Sequence, residues 1–411
     1  MTHEKFGVAL AGGGPLGAIY EIGALVALDE ALHGIDLTDC GIYVGVSSGS
    51  FVAAGLANGF TPRAMHALFI ENKSDDDPFE PELLLRPATG EYGRRLLSVV
   101  PLFLSALREY LRTPCSHGFV ASFQRLARAL PTGLFDNAAF GNYLGKLFSG
   151  PGRTNDFRRL RHRLFLVATD LDSGEIAPFG APEWDDVPIA TAIQASAALP
   201  GLFPPVRIKG RWYVDGVLKK TLHASLALKA GAKLLLCINT LVPFNAGGVT
   251  RNGGDRPVAI VDGGLPLVIS QTFRAIIHSR MEVGMSRYRA EFPDADIVLF
   301  EPSRDDAEMF FANVFSYADR RRLSEHAYQR TRAELRRRHD ELAPIFARHG
   351  VTIDQDVLGD DGRTLLHPAD AATERPRGTA ARKQGLDATA SELDRTLKRL
   401  ETMVDAAAQG D

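Results

Sequence analysis

The chain has 411 residues, 45% hydrophobic and 24% charged, with 39 Gly and 23 Pro. That composition excludes a wholly disordered chain, a collagen-like repeat and a long coiled coil, and it fits one large α/β domain or two smaller ones. Lys and Arg number 47 against 50 Asp and Glu, a net charge of −3, so the bulk charge does not point to nucleic acid.

Phe6–Ala11 reads as a short buried strand, followed by Gly12-Gly13-Gly14-Pro15. From Leu16 to about His33 the apolar residues Leu16, Ile19, Ile22, Leu25, Leu28 and Leu32 recur at helical spacing, and Pro15 suits a first helical position. A second strand, Gly41–Val44, runs into Gly45-Val46-Ser47-Ser48-Gly49 and a helix of small residues from Ser50 to about Ala57. Further strands are expected at Arg163–Ala168, Glu175–Phe179, Val206–Ile208 with Trp212–Val214, Lys233–Asn239 and Asp296–Phe300. Their alternation with helical stretches predicts a mainly parallel sheet covered on both faces.

Between about 72 and 152 the pattern changes to a polar loop around Asp75-Asp76-Asp77 and helical segments rich in Leu and Phe, read as a helical insertion or cap. Within it, Leu96–Leu107 is nearly all apolar but shorter than the roughly 20 residues that span a bilayer, and it reads as a buried helix rather than a lid. Thr221–Ala230 reads as a helix with His223 as a solvated or capping residue, and the arginine-rich Asp319–His349 as a solvated helix. The main domain is placed at 1–350, a linker-like segment at 351–390 and an amphipathic helix at 391–411.

Gly45-Val46-Ser47-Ser48-Gly49 between strand and helix has the form of a nucleophile elbow, a turn so tight that its flanking positions want glycine. Such a serine needs a base and an oxyanion hole. No histidine is compelling, since His223 follows a strand region closely but falls in the Thr221–Ala230 helix, whereas Asp215-Gly216 follows Trp212-Tyr213-Val214 and would put a carboxylate on a turn at a strand end. Gly12-Gly13-Gly14 supplies bare backbone whose N–H groups would face a substrate. The same glycines spell G-x-G-x-x-G through Gly17, the dinucleotide fingerprint, with Asp36 near the spacing of its acidic partner. Against that reading, the next strand begins only near Gly41 and ends in the serine elbow. Asp262-Gly263-Gly264 repeats the aspartate motif, but it follows a Gly-rich loop and heads a helix.

The order glycine loop, G-x-S-x-G, then D-G resembles the patatin-like phospholipases, a family of serine lipid acyl hydrolases. Val167–Glu175 and Ala195–Val206, leading to Tyr213-Val214-Asp215-Gly216, are similar to that family too, and the likeness covers about Lys5–Asn239. It implies a three-layer α/β/α fold and a Ser–Asp dyad with no metal and no cofactor. Carried over, Ser47 is the nucleophile, Asp215 its base, and Gly12, Gly13 and Gly14 with the N–H of Ser48 the oxyanion hole. Two positions depart: Leu16 stands where the family carries a basic residue, and Val217 where it carries Gly or Ala.

The expected partner is a lipid or fatty-acyl ester, with peripheral membrane contact compatible, nucleic acid not expected and the oligomeric state open. A catalytically weak relative that binds lipid or protein is the alternative, kept alive by Leu16. Cys40, Cys115 and Cys237 lie far apart without metal or disulfide spacing, and Met1–Lys5 lacks signal-peptide character, so the expected address is the cytoplasm or a membrane surface facing it.

Overall fold

In the computed structural model, residues 5–73, 132–247, 259–311 and 317–366 are described. Asp75–Asp77, Leu96–Leu107, Cys115 and the 391–411 helix lie outside them. The chain divides into two compact units, Met1–Pro81 with Pro131–Leu365, and Glu82–Leu130 with Leu366–Asp411. Apart from Leu366, the described residues belong to the first.

Strand β1 (Phe6–Leu10) leads into helix α1 (Gly14–Ala31), then the two-residue β2 (Leu32–His33), β3 (Ile42–Val46), α2 (Ser48–Ala57) and the short α3 (Pro62–Met65). After α4 (Ala138–Phe148) come β4 (Arg163–Asp170), β5 (Ile176–Phe179), α5 (Ile189–Ser196), β6 (Val206–Ile208) and β7 (Arg211–Asp215). The chain continues with α6 (Ser225–Lys229), β8 (Leu234–Ile238), the long α7 (Gly264–Glu291), β9 (Asp296–Phe300) and α8 (Ala307–Phe311). It closes with α9 (Tyr317–Arg337), α10 (His339–Arg348), β10 (Thr352–Ile353) and α11 (Gln355–Gly359).

Eight strands form one mixed, mostly parallel sheet in the order β6-β7-β4-β3-β1-β8-β9, with β5 also on β4. The central strands FGVAL, IYVGV and LLLCI are buried at every residue, the continuous apolar run of a sheet covered on both faces. One face packs Ala9, Val44 and Cys237 against α6 and α7, through Leu228, Met281 and Met285. Elsewhere α1 packs on α2 and α9, so close to α9 that a Cβ on Gly23 would run into the Ser324 carbonyl. This is the α/β architecture expected.

The arginine-rich stretch differs from the expectation. It forms two helices, α9 and α10, and α9 is not a solvated helix. Arg332 is buried and donates to the carbonyls of Val357 (2.8 Å), Asp360 and Arg363, tying down the chain beyond residue 350. β10 pairs antiparallel with β2 and Asp354 caps α11, so the chain stays on this body through Leu365. Buried arginine is tolerated because oxygen acceptors satisfy both of its terminal nitrogens.

Candidate active site

Four strand ends meet at Ser47. Just past β3, Ser47 takes φ +52°, ψ −122° before α2 begins. A positive φ strains any residue bearing a Cβ and persists only where its surroundings enforce it. Here the enforcement is specific. A Cβ on Gly49 would fall 2.5 Å from the Ala11 carbonyl, and one on Gly45 would press on Gly49 and Ser50, so both elbow glycines are required by space. The Gly49 N–H donates to the Ala11 carbonyl at 3.1 Å, stapling the elbow to the end of β1.

Ser196, at the last turn of α5, has no exposed surface and completes the clamp. Its Oγ accepts the Ser47 N–H at 2.9 Å and donates to the Val167 carbonyl at 2.7 Å. The Ser47 carbonyl accepts the N–H and hydroxyl of Ser50.

Sheet register delivers the carboxylate. Strand β4 runs past the end of β3, where Val46 stands opposite Val167, and the next residue, Ala168, pairs with Asp215 of antiparallel β7. Asp215 is 1% exposed; its N–H donates to the Ala198 carbonyl, and its Oδ1 accepts the Val217 N–H at 2.9 Å. Thr169 Oγ1 donates to the Asp215 carbonyl at 3.2 Å, which gives the Val167–Glu175 stretch a structural role. The Ser47 hydroxyl lies close enough to the Asp215 carboxylate to favour its ionised form. Burial pushes the pKa of Asp215 up to about 7, against the lowering by Ser47 and by the Val217 N–H.

The glycine loop lies against the serine. A Cβ on Gly12 would be 3.0 Å from the Ser47 Cβ, and one on Gly13 would collide with Thr240 Oγ1. Thr240, just past β8, donates to the Gly12 carbonyl at 3.2 Å, so that oxygen is turned away from Ser47's environment toward β8. Gly14 takes φ +62° and opens α1, with Pro15 in its first turn. Among the described residues no protein acceptor takes the N–H of Gly12, Gly13 or Ser48.

Other candidates fall elsewhere. His223 is buried rather than solvated, because the helix there begins only at Ser225. It contacts the Gly216 carbonyl at 3.3 Å, and burial pushes its pKa down to about 4, so it is neutral. Asp262 is exposed and makes no cap for α7. Asp36 sits in the turn after β2, accepting from Thr38, not at the end of a strand beside β1. Among the described residues no group of His, Cys, Asp and Glu is arranged to hold a metal.

The model of the patatin-like phospholipase family matches residues 8–228, more than half of the chain. The chain belongs to the patatin-like phospholipase family. Two solved structures are also similar. VipD from Legionella pneumophila has 16% identity over 80% of this chain and 66% of its own, with a TM-score of 0.37. The type III effector ExoU has 16% identity over 99% of this chain and 65% of its own, with a TM-score of 0.36. The chain thus spans just under two thirds of the length of each. No curated protein matches it.

Within this patatin-like site, three residues carry no motif that sequence reading could catch. Ser196 lies in a family-like stretch, but its bond to the Ser47 N–H is visible only in three dimensions. Thr240 and Arg274 have no local signal. Arg274, on α7, is buried without a carboxylate partner among the described residues and donates to the Thr240 and Val242 carbonyls. Burial pulls its pKa down to about 10, still well above neutrality. Arg274 thus holds the backbone of Thr240, whose hydroxyl bonds the Gly12 carbonyl.

Proposed function

We propose that this protein is a serine acyl hydrolase of lipids, with phospholipid as the expected substrate class, working through an acyl-Ser47 intermediate. The observation that carries the reading is the sheet register that sets the buried Asp215 carboxylate beside the elbow serine, where burial raises its pKa to about 7. A base matched to neutral pH abstracts a proton far better than a solvated aspartate would. As Ser47 Oγ attacks the ester carbonyl, Asp215 takes its proton. The oxyanion that forms is held by N–H groups of the Gly12–Gly14 loop and of Ser48. Asp215 returns the proton to the leaving alcohol, then takes one from water as it attacks the acyl-serine and hands it to Ser47 Oγ as the acyl–oxygen bond breaks and free fatty acid leaves.

Labelling of the full chain with a fluorophosphonate, read by intact mass and peptide mapping, tests this. A single adduct on Ser47, absent from Ser47→Ala, together with fatty acid release from phospholipid vesicles, is the expected result. A folded protein that takes no label even with detergent or lipid present would sink it. That outcome would favour the alternative that Leu16 suggests, a lipid- or protein-binding relative without turnover.

A further inference from the structure

Helix α7 has two unlike faces. Its inner face is part of the site: Arg274 bonds the carbonyls past β8, and Ile277 packs with Val46 and Val217, the neighbours of Ser47 and of Asp215. Its outer face is apolar where a surface helix of a water-soluble body is normally charged. Leu265, Ile269, Phe273 and Ile276 recur at helical spacing on that side and are 71%, 44%, 40% and 51% exposed. Gly263–Phe273 contains no ionisable residue at all.

The same helix side changes character one turn further on, at exposed Arg280. Arg280 reaches the Leu218 carbonyl at 3.2 Å, beside Lys219 and Lys220. None of these three cations has an acidic partner among the described residues. Lys220 instead lies over the ring of Tyr288, on the same helix. In contrast, the exposed Glu282 nearby is occupied by Arg304.

We propose that this face docks on an anionic phospholipid surface, with the Leu265–Ile276 stripe entering the headgroup–acyl boundary and Lys219, Lys220 and Arg280 meeting lipid phosphates. A second protein copy or a segment of this chain would cover the apolar stripe, but it would leave three cations without acidic partners at its end unexplained. An anionic lipid surface answers both, since apolar burial and cation–headgroup attraction add in interfacial helices. The proposal deepens the acyl-hydrolase reading by placing the lipid against the helix that backs the Ser47–Asp215 pair.

The test uses the full chain carrying Ser47→Ala, so that vesicles stay intact, in flotation with phosphatidylcholine vesicles with and without phosphatidylglycerol. Binding is expected to require phosphatidylglycerol, and Ile269→Glu with Phe273→Glu to lower the partition constant about tenfold or more. Lys219→Gln with Lys220→Gln should weaken binding to the anionic vesicles by about fivefold per cation. Thermal melts check that each variant folds. As a measurement free of charge changes, a polarity-sensitive fluorophore on Ile276→Cys, with Cys115→Ser, should shift to the blue when vesicles are added. No vesicle binding, unchanged partition in the glutamate variants, or a fluorophore that does not respond would overturn the proposal. So would glutamate variants that dissociate a dimer, or cross-linking that finds residues 82–130 seated on the stripe in lipid-free protein. Because binding is read without turnover, vesicle binding by a protein that never hydrolyses lipid would sink the acyl-hydrolase reading alone. Vesicle hydrolysis with no role for the stripe would sink this proposal alone.

Discussion

Asp215→Asn is expected to reduce turnover on the order of 10⁴-fold, the loss seen when a catalytic carboxylate is replaced by its amide, while making the folded protein more stable at neutral and alkaline pH. Both effects follow from the same burial. Asparagine keeps the shape and can still bond the Val217 N–H beside Ser47, but it cannot accept a proton. For stability, the folded pKa of about 7 lies above the reference 3.8. Between those values the folded protein holds a proton that the unfolded chain has shed, so this contribution falls as pH rises and is lost above 7. A shift of about three units corresponds to roughly 4 kcal/mol, an upper bound on what the amide would recover. Urea melts from pH 4.5 to 8.5 check it: the two stability curves should converge at the acid end and separate toward pH 8. Parallel curves would show that Asp215 is not held near pKa 7. In the unsubstituted protein the same ionisation is expected to set kcat/KM, which should rise with unit slope below pH 7 and level off above. His223, neutral down to about pH 4, adds a stability loss at lower pH as the pH falls from 6.5, but equally in both proteins.

Ser196→Ala is expected to lower kcat on the order of 10- to 100-fold with KM little changed, because a clamp on the nucleophile acts through position rather than substrate binding. The lost hydroxyl leaves the buried Ser47 N–H and Val167 carbonyl unmatched, a cost of about 1–3 kcal/mol per group. That is comparable to the roughly 1–3 kcal/mol stored in a strained backbone like that of Ser47, so the elbow should relax and move Oγ off the Asp215 carboxylate. Steady-state kinetics on a monomeric ester, paired with denaturant melts, separates the possibilities. The midpoint of the pH profile should stay near 7, since Asp215 keeps its burial, and Ser196→Thr should restore part of the rate by returning the hydroxyl. A variant that melts earlier yet turns over normally would leave Ser196 a packing residue only.

The elbow was legible because its requirement is local: a strand, a turn with no room for side chains and a helix must follow one another within about a dozen residues. The central strands were legible for a similar reason, each being a short unbroken apolar run. His223 and Arg332 were not. A histidine three residues past a lysine and an arginine in a charged helix both look solvated in a linear reading. His223 is tucked against the Gly216 carbonyl, and Arg332 is closed over by the Val357–Arg363 carbonyls, contacts that a linear reading does not reveal. Arg274 was not legible either: it reaches the Thr240 and Val242 carbonyls from a helix more than 250 positions beyond Leu16.

What the sequence by itself determined is the set of groups and their order: a glycine loop after the first strand, a serine in a turn that only glycine neighbours permit, an aspartate at a strand end. These depend on backbone sterics and on residue types close in the chain. What only the tertiary structure decided is which groups meet and in what state. Antiparallel pairing of β7 onto the overhang of β4 puts Asp215 beside Ser47, and removal of that carboxylate from water raises its pKa to near 7. Strand register and desolvation are set by contacts across the whole sheet, and no local pattern encodes them.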